Sequence, residues 1–386
     1  MIARKNLLQI GTTLGRHDPR PFGIRSADRH FHVFIIGQTG TGKSSLLSSL
    51  VRQEIEHGRG FCLIDPHGDL SSSIAAAGAP LTYWNVADPA SPYGYNPLAR
   101  VAPEHRPLIA SGLIETLKKQ WPDAWGARME HLLRFAVLAL LEQEHATLAD
   151  ILPLFLDKEF RAKVVDAITD EQVRQFWTVE YPKLRYQMSG DGVSSIANKL
   201  GAFLAHPVVR KAVCEPEEPL HFRQIMDQGG MLVVNLAKGR LGADISNLLG
   251  GLLVSGIASA AYGRQDQPEQ ERRPFFLYVD EFHSFTTSAF ADMLSELRKY
   301  ALGLTLTTQY FGRIETDARE AILGNVGTLI SFRVGATDAA LLARQFGEDL
   351  PRPRDLVNLA NYEMFIKLMV DGVQTKPFSA KTLPPP

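Results

Sequence analysis

The residues Gly37 to Ser44 read GQTGTGKS, a full match to the pattern G-x-x-x-x-G-K-[ST]. They follow the apolar run HVFII and precede SLLSSLVRQEIEHG, a segment with the apolar spacing of a helix. In that setting the chain from Gly37 through Gln38, Thr39, Gly40, Thr41, Gly42, Lys43, Ser44 and Ser45 forms a cradle for phosphate groups. The three glycines keep side chains out of the way, and the positive end of the following helix stabilises negative charge. Lys43 is then placed to reach the β and γ phosphates. The Ser44 hydroxyl suits Mg2+, a hard cation that shares its shell between protein oxygens, phosphates and waters. The alternative is a glycine-rich turn without a ligand.

A second constellation begins at Phe275, where FFLYVDE places two carboxylates at the end of an apolar run. Open α/β sheets bind ligands at such strand ends. Asp280 there is a candidate for the Mg2+ shell, and Glu281, one residue on, for orienting and deprotonating an attacking water. The competing reading is a helix cap. Leu304 to Gln309 (LTLTTQ) is another strand-like run ending in a polar residue, so Gln309 is a candidate γ-phosphate sensor or a turn-capping amide. Arg298 falls on an expected helix, Ala289 to Tyr300, without a carboxylate three or four positions before it. Such a guanidinium can act as a finger on a neighbouring subunit's γ-phosphate, with Arg333 and Arg319 as rivals. Asp65 and Asp69 in LIDPHGDL read as a structural turn or as the edge of a nucleotide site.

These residues require a particular scaffold. Apolar runs at Val33 to Ile36, Phe61 to Ile64, Leu81 to Trp84, Met231 to Asn235, Phe275 to Val279, Leu304 to Thr308 and Thr328 to Val334 are continuous rather than alternating. Strands covered on both faces by crossover helices need that pattern, so an α/β core with a mostly parallel central sheet is expected. Between Pro103 and Pro219 the pattern turns helical, as in Trp125 to Glu144. The expected division is a lead-in over 1–30, a core over 31–102 and 220–386, and an all-α insertion over 103–219. Asp371-Gly372 between two apolar runs predicts a hairpin. Ile245 to Tyr262 carries no charge over its length, but its serines, alanines and Asn247 favour a buried crossover helix over a membrane span.

Composition narrows the classes further. The chain has 386 residues, 45% hydrophobic and 22% charged, which excludes disordered, collagenous and disulfide-scaffold chains. With 41 basic and 42 acidic residues the net charge is -1, so any polyanion contact has to be local. Two cysteines, Cys62 and Cys214, lack metal-ligand spacing and suit a reducing compartment. The candidate phosphate contacts are Lys238 and Arg240 in NLAKGRLGAD and Lys199 at the start of a basic helical stretch, against the alternative of solvated loops.

Taken together, GQTGTGKS, IDPHGD, the YNPL at Tyr95 to Leu98, LYVDE, SELRKYALGLTLTTQ and GNVGTLISFRVG resemble the HerA/FtsK-type ATPases, and among them the conjugative coupling proteins of type IV secretion, the TraD/TraG group. The resemblance covers nearly all of the chain after Leu14. It implies a RecA-like P-loop NTPase core with an inserted all-α domain, assembled as a hexameric ring that uses ATP and Mg2+ to pump DNA without sequence preference. Arg298 resembles the family's trans-acting arginine and Gln309 its sensor glutamine. Expected partners are further copies of the chain, DNA, and a relaxase or secretion-channel component. Only about thirty residues precede the cradle, short of the membrane helices of anchored coupling proteins or the β-barrel of HerA-type helicases. The expectation is therefore a cytoplasmic motor, or one peripheral at the inner membrane, with no integral membrane segment. A second reading is an ATPase that energises protein secretion or complex assembly; a third, a small-molecule kinase, gives no role to Glu281 and Gln309.

Overall fold

The structure, a computed structural model, describes residues 6–15, 18–187, 191–285, 294–347 and 351–383. They fall into two compact units, one built from residues 1–83, 223–237 and 264–386, the other from 84–222 and 238–263.

In chain order the first strands are β1 (Leu7–Thr13), β2 (Pro21–Arg25), β3 (Val33–Ile36), β4 (Phe61–Asp65) and β5 (Thr82–Asn85). Two short strands, β6 (Tyr93–Gly94) and β7 (Glu218–Pro219), pair with each other in the second unit. The later strands are β8 (Met231–Asn235), β9 (Phe275–Val279), β10 (Leu302–Thr308), β11 (Thr328–Ser331), β12 (Glu363–Lys367), β13 (Met369–Val370), β14 (Val373–Gln374) and β15 (Phe378–Thr382). Eleven of them form one sheet in the order β2-β1-β15-β12-β11-β3-β10-β9-β4-β8-β5.

The middle of that sheet is parallel. β3 lies between β10 and β11, and β10 continues through β9 and β4 to β8 with every one of these pairings parallel. Each residue of β3, β4, β9, β10 and β11 is buried; β3 and β9 run apolar throughout as two covered faces favour, while β10 (LGLTLTT) alternates leucine and threonine although both of its faces are covered. The helix Lys43–His57 lays Leu46, Leu47, Leu50 and Val51 into the same core as Ile35, Leu63, Val233 and Tyr278. The core also holds a buried charge network. Glu54 Oε2 meets Arg59 Nε at 2.7 Å, while Arg29 and the Tyr278 hydroxyl, at 2.6 Å, donate to Oε1.

Leu7–Thr13 and Pro21–Arg25 are part of the sheet instead of a lead-in: β1 pairs antiparallel with both β2 and β15, and β12 joins β15 to β11. These outer strands escape a search for continuous apolar runs because they alternate or carry Pro21 and Gly23. The anticipated hairpin is present, its Asp371 and Gly372 at φ 52° and 79° between β13 and β14. That backbone is the left-handed pair that an Asp-Gly turn supplies.

The second unit is helical apart from β6, β7 and the end of β5, but it extends beyond the anticipated 103–219, starting at Trp84 and taking in 238–263. The added piece contains the helix Ala243–Tyr262, which packs along Arg106–Gln120 within this unit. It joins β8 to β9 in the chain, as a crossover should. It is also long and apolar enough to cross a membrane, yet 67% of that apolar window is buried.

Candidate functional site

The cradle opens where β3 ends. Gly37 N donates to Thr308 O at the end of β10, and Gln38 N to Arg333 O just beyond β11, so the loop is fastened to both neighbours of its own strand. Thr41 Oγ1 closes the loop on Gln38 O at 2.7 Å. Gly42 precedes the helix at φ 119°, a backbone that L side chains avoid, and a Cβ there would press on Phe332 and Tyr362 at 3.1 Å. Lys43 folds back over the loop, its ammonium 2.5 Å from Gly37 O and 3.0 Å from Gln38 O. Burial lowers the Lys43 pKa, opposed by the charges of Asp280 and Glu281.

Those two carboxylates end β9. Asp280 Oδ1 accepts from the Thr307 hydroxyl and, at 3.1 Å, from Glu281 N. Burial raises the Asp280 pKa; Thr307 and Lys43 oppose the shift, while Asp65 and Glu281 add to it. Glu281 adopts φ 47° and ψ 44°, the left-handed region, at the turn that follows the strand. One of its oxygens, Oε1, accepts from Gln309 Nε2, and the other, Oε2, faces His67 Nε2 at 3.0 Å.

Lys43, Asp280, Glu281, Gln309 and His67 line one cleft of about 660 Å³. Of the expected residues it collects Thr39, Gly40, Gly42, Lys43, Ser44, Ser45, Asp280, Glu281 and Gln309 on its walls, and Asp65 and Asp69 with them. Gly37, Gln38 and Thr41 complete the loop behind. The Asp65 carboxylate accepts from His67 N and Ser71 N at 3.0 and 2.8 Å, so it anchors the PHGD turn from inside the site. His67, Arg52 and Tyr362 also line the cleft and were not among the expected residues. Only His67 carried a signal, as a histidine in a turn directly after a buried strand.

Ser44 and Asp280 fit Mg2+: both present hard oxygens on the same cleft, and the negative charges of Asp65 and Glu281, which help raise the Asp280 pKa, are of the kind a divalent cation offsets.

Arg298 lies elsewhere. Of its expected helix, residues 289–293 fall outside the described ones, 294–296 are helical, and Leu297–Tyr300 is a 3-10 turn. That turn leads into the start of β10, whereas the cradle is at the end of β10; seven residues at about 3.3 Å each put the two roughly 20 Å apart. Its guanidinium stacks on the Phe31 ring at 3.6 Å, beside a second cleft shared with Arg272 and Lys299. Its rival Arg333 is bound to its own cradle, donating to Gln38 Oε1 at 3.4 Å as well as to Leu359 O and Asn361 Oδ1. Arg319 stands on the helix Thr316–Asn325. The basic candidates belong to the second unit: Lys238 and Arg240 form a single helical turn, Lys238–Leu241, instead of a loop, and Lys199 is on the helix Asp191–Leu204.

The sheet and its phosphate cradle define the RecA-like P-loop class of fold. Within that class, residues 8–162 match the family model of the helicase HerA central domain. The bacterial conjugative coupling protein TrwBdeltaN70 has a similar fold, with a TM-score of 0.65 at 15% identity over 94% of this chain and 87% of that one. VirB4 of Thermoanaerobacter pseudethanolicus gives 0.65 at 16% identity, covering 98% of this chain and 97% of the other. A structure of TrwB in complex with ADP and Mg2+ gives 0.63 at 15%, over 98% and 95%. No curated protein matches the chain in sequence.

Proposed function

We propose that this chain is an ATP-hydrolysing motor that assembles as a ring, hexameric by resemblance, and translocates DNA. Lys43 binds the β and γ phosphates, and Ser44 and Asp280 hold Mg2+, which when bound offsets phosphate charge. Glu281 orients and deprotonates the attacking water, and Gln309, already bonded to Glu281, reports whether the γ-phosphate is present. Lys238, Arg240 and Lys199 are the candidate contacts to the DNA backbone. The TrwB structures with ADP and Mg2+ and with an ATP analogue favour the same ligands here.

The observation that carries the ring is the position of Arg298 at the opposite end of β10 from its own cradle. A cation there has no reach to the phosphates of its own chain, and serves as a finger only against another copy.

The test is ATP turnover and particle mass with Mg2+, with and without DNA at low salt, where phosphate contacts are strongest. The reading expects DNA-stimulated turnover and a multimer in the presence of nucleotide and DNA. Turnover indifferent to DNA favours a motor acting on protein; a monomer under all these conditions removes the trans role of Arg298.

A further inference from the structure

β9 is flanked in the sheet by β10 and β4, and each neighbour sends one side chain to one oxygen of Glu281. Gln309, directly after β10, donates to Oε1. His67, two residues after β4, approaches Oε2 at 3.0 Å, where a ring N–H donates to a carboxylate. The Glu281 side chain is 8% exposed, so this second partner matters more than a surface pair would.

The turn that carries His67 is built to hold it. Its backbone N–H donates to Asp65 Oδ1, and the other oxygen of Asp65 takes Ser71 N, so one buried carboxylate fixes both ends of the turn. Gly68 adopts φ 95° against β8, where a Cβ would come within 2.5 Å of Asn235 Oδ1. Asn235 is itself fixed, donating to the Tyr83 hydroxyl at 3.1 Å and accepting from Ala237 N at 2.8 Å. The His67 backbone is thus set by β4, β8 and the helix Asp69–Ala75, while its ring, 49% exposed, leans inward to Glu281.

We infer that His67 is a positioning residue for hydrolysis: it holds Oε2 of Glu281 while Gln309 holds Oε1, fixing the plane of the carboxylate that takes a proton from the attacking water. The inference rests on the hydrolytic role of Glu281 proposed above. A glutamate with a free side chain samples several rotamers, and one whose two oxygens are held from opposite neighbouring strands does not. Misplacing a reacting group by an ångström costs up to about 100-fold in rate.

Steady-state ATP turnover of the full chain with Mg2+ tests this in His67→Ala and His67→Gln, with Glu281→Gln run alongside. The expected result is a fall in kcat of about 10- to 100-fold in His67→Ala with KM unchanged, and recovery of most of it in His67→Gln, whose amide offers a donor of similar reach. An unchanged or raised kcat in His67→Ala overturns the inference, as does a change confined to KM, which would make His67 a nucleotide contact. Equal loss in both variants overturns it too, since a donor alone would not have sufficed. If Glu281→Gln is inactive while His67→Ala matches the unsubstituted chain, only the role of His67 fails. If Glu281→Gln turns over normally, the hydrolytic reading itself fails.

Discussion

Lys43 reaches back over its own loop to the carbonyl oxygen of Gly37, 2.5 Å away, and holds the cradle closed with the ammonium that a phosphate would claim. Replacing those carbonyl contacts with charged phosphate oxygens exchanges neutral acceptors for ionic ones. Lys43→Ala is expected to keep the fold, because the side chain supports only the loop, and to lower turnover by about 100-fold or more. Circular dichroism and a turnover assay check both halves; normal turnover would remove Lys43 from the reaction.

Arg298 is expected to act across subunits, so mixing variants should restore what each has lost. Arg298→Ala and Glu281→Gln chains are each predicted to be inactive. A mixed assembly contains sites that combine an intact Glu281 with an intact Arg298 from the adjoining copy, and should recover part of the turnover. No recovery over any mixing ratio argues against a trans role for Arg298.

That the cradle, the acid pair and Gln309 share one cleft was legible, because each follows a buried parallel strand and a parallel sheet brings such strand ends to one edge. The parallel strands were legible because burial on both faces leaves mostly apolar residues, and Val33 to Ile36, Met231 to Asn235 and Phe275 to Val279 begin and end as expected. His67 was not, since its partner Glu281 is 214 positions away and only the adjacency of β4 and β9 joins them. β1 and β2 were missed because they bury only some of their residues, unlike the central strands, and the distance of Arg298 from the cradle follows from strand direction, which no local pattern states.

The buried histidines make stability fall with acid. Burial pushes His30 and His32 down from 6.5 to about 4, with the positive charges of Arg29 and Arg298 adding to the effect on His30. His32 is fixed as a neutral ring, accepting from Leu304 N at Nδ1 and facing Leu294 O through Nε2. Between those values the unfolded chain binds protons that the folded chain refuses. Stability is therefore fully present above 6.5 and lost as the pH falls toward 4, by up to about 3 kcal/mol per histidine. Urea unfolding at a series of pH values checks this; a flat profile between 6.5 and 4 contradicts it.

Glu54 is fully buried between Arg29 and Arg59. Glu54→Ala leaves Arg29, itself 2% exposed, as an uncompensated buried charge, a change that costs about 3–5 kcal/mol. The loss is read as a lower thermal midpoint. A midpoint unchanged from the unsubstituted chain would mean that the arginines find other partners.

The most direct test of the account is to measure ATP binding and ATP turnover in the same preparation of Glu281→Gln. The account predicts that nucleotide affinity is kept, because Lys43, Ser44 and the loop are intact, while turnover falls by about 100-fold or more. Turnover at the level of the unsubstituted chain would contradict it.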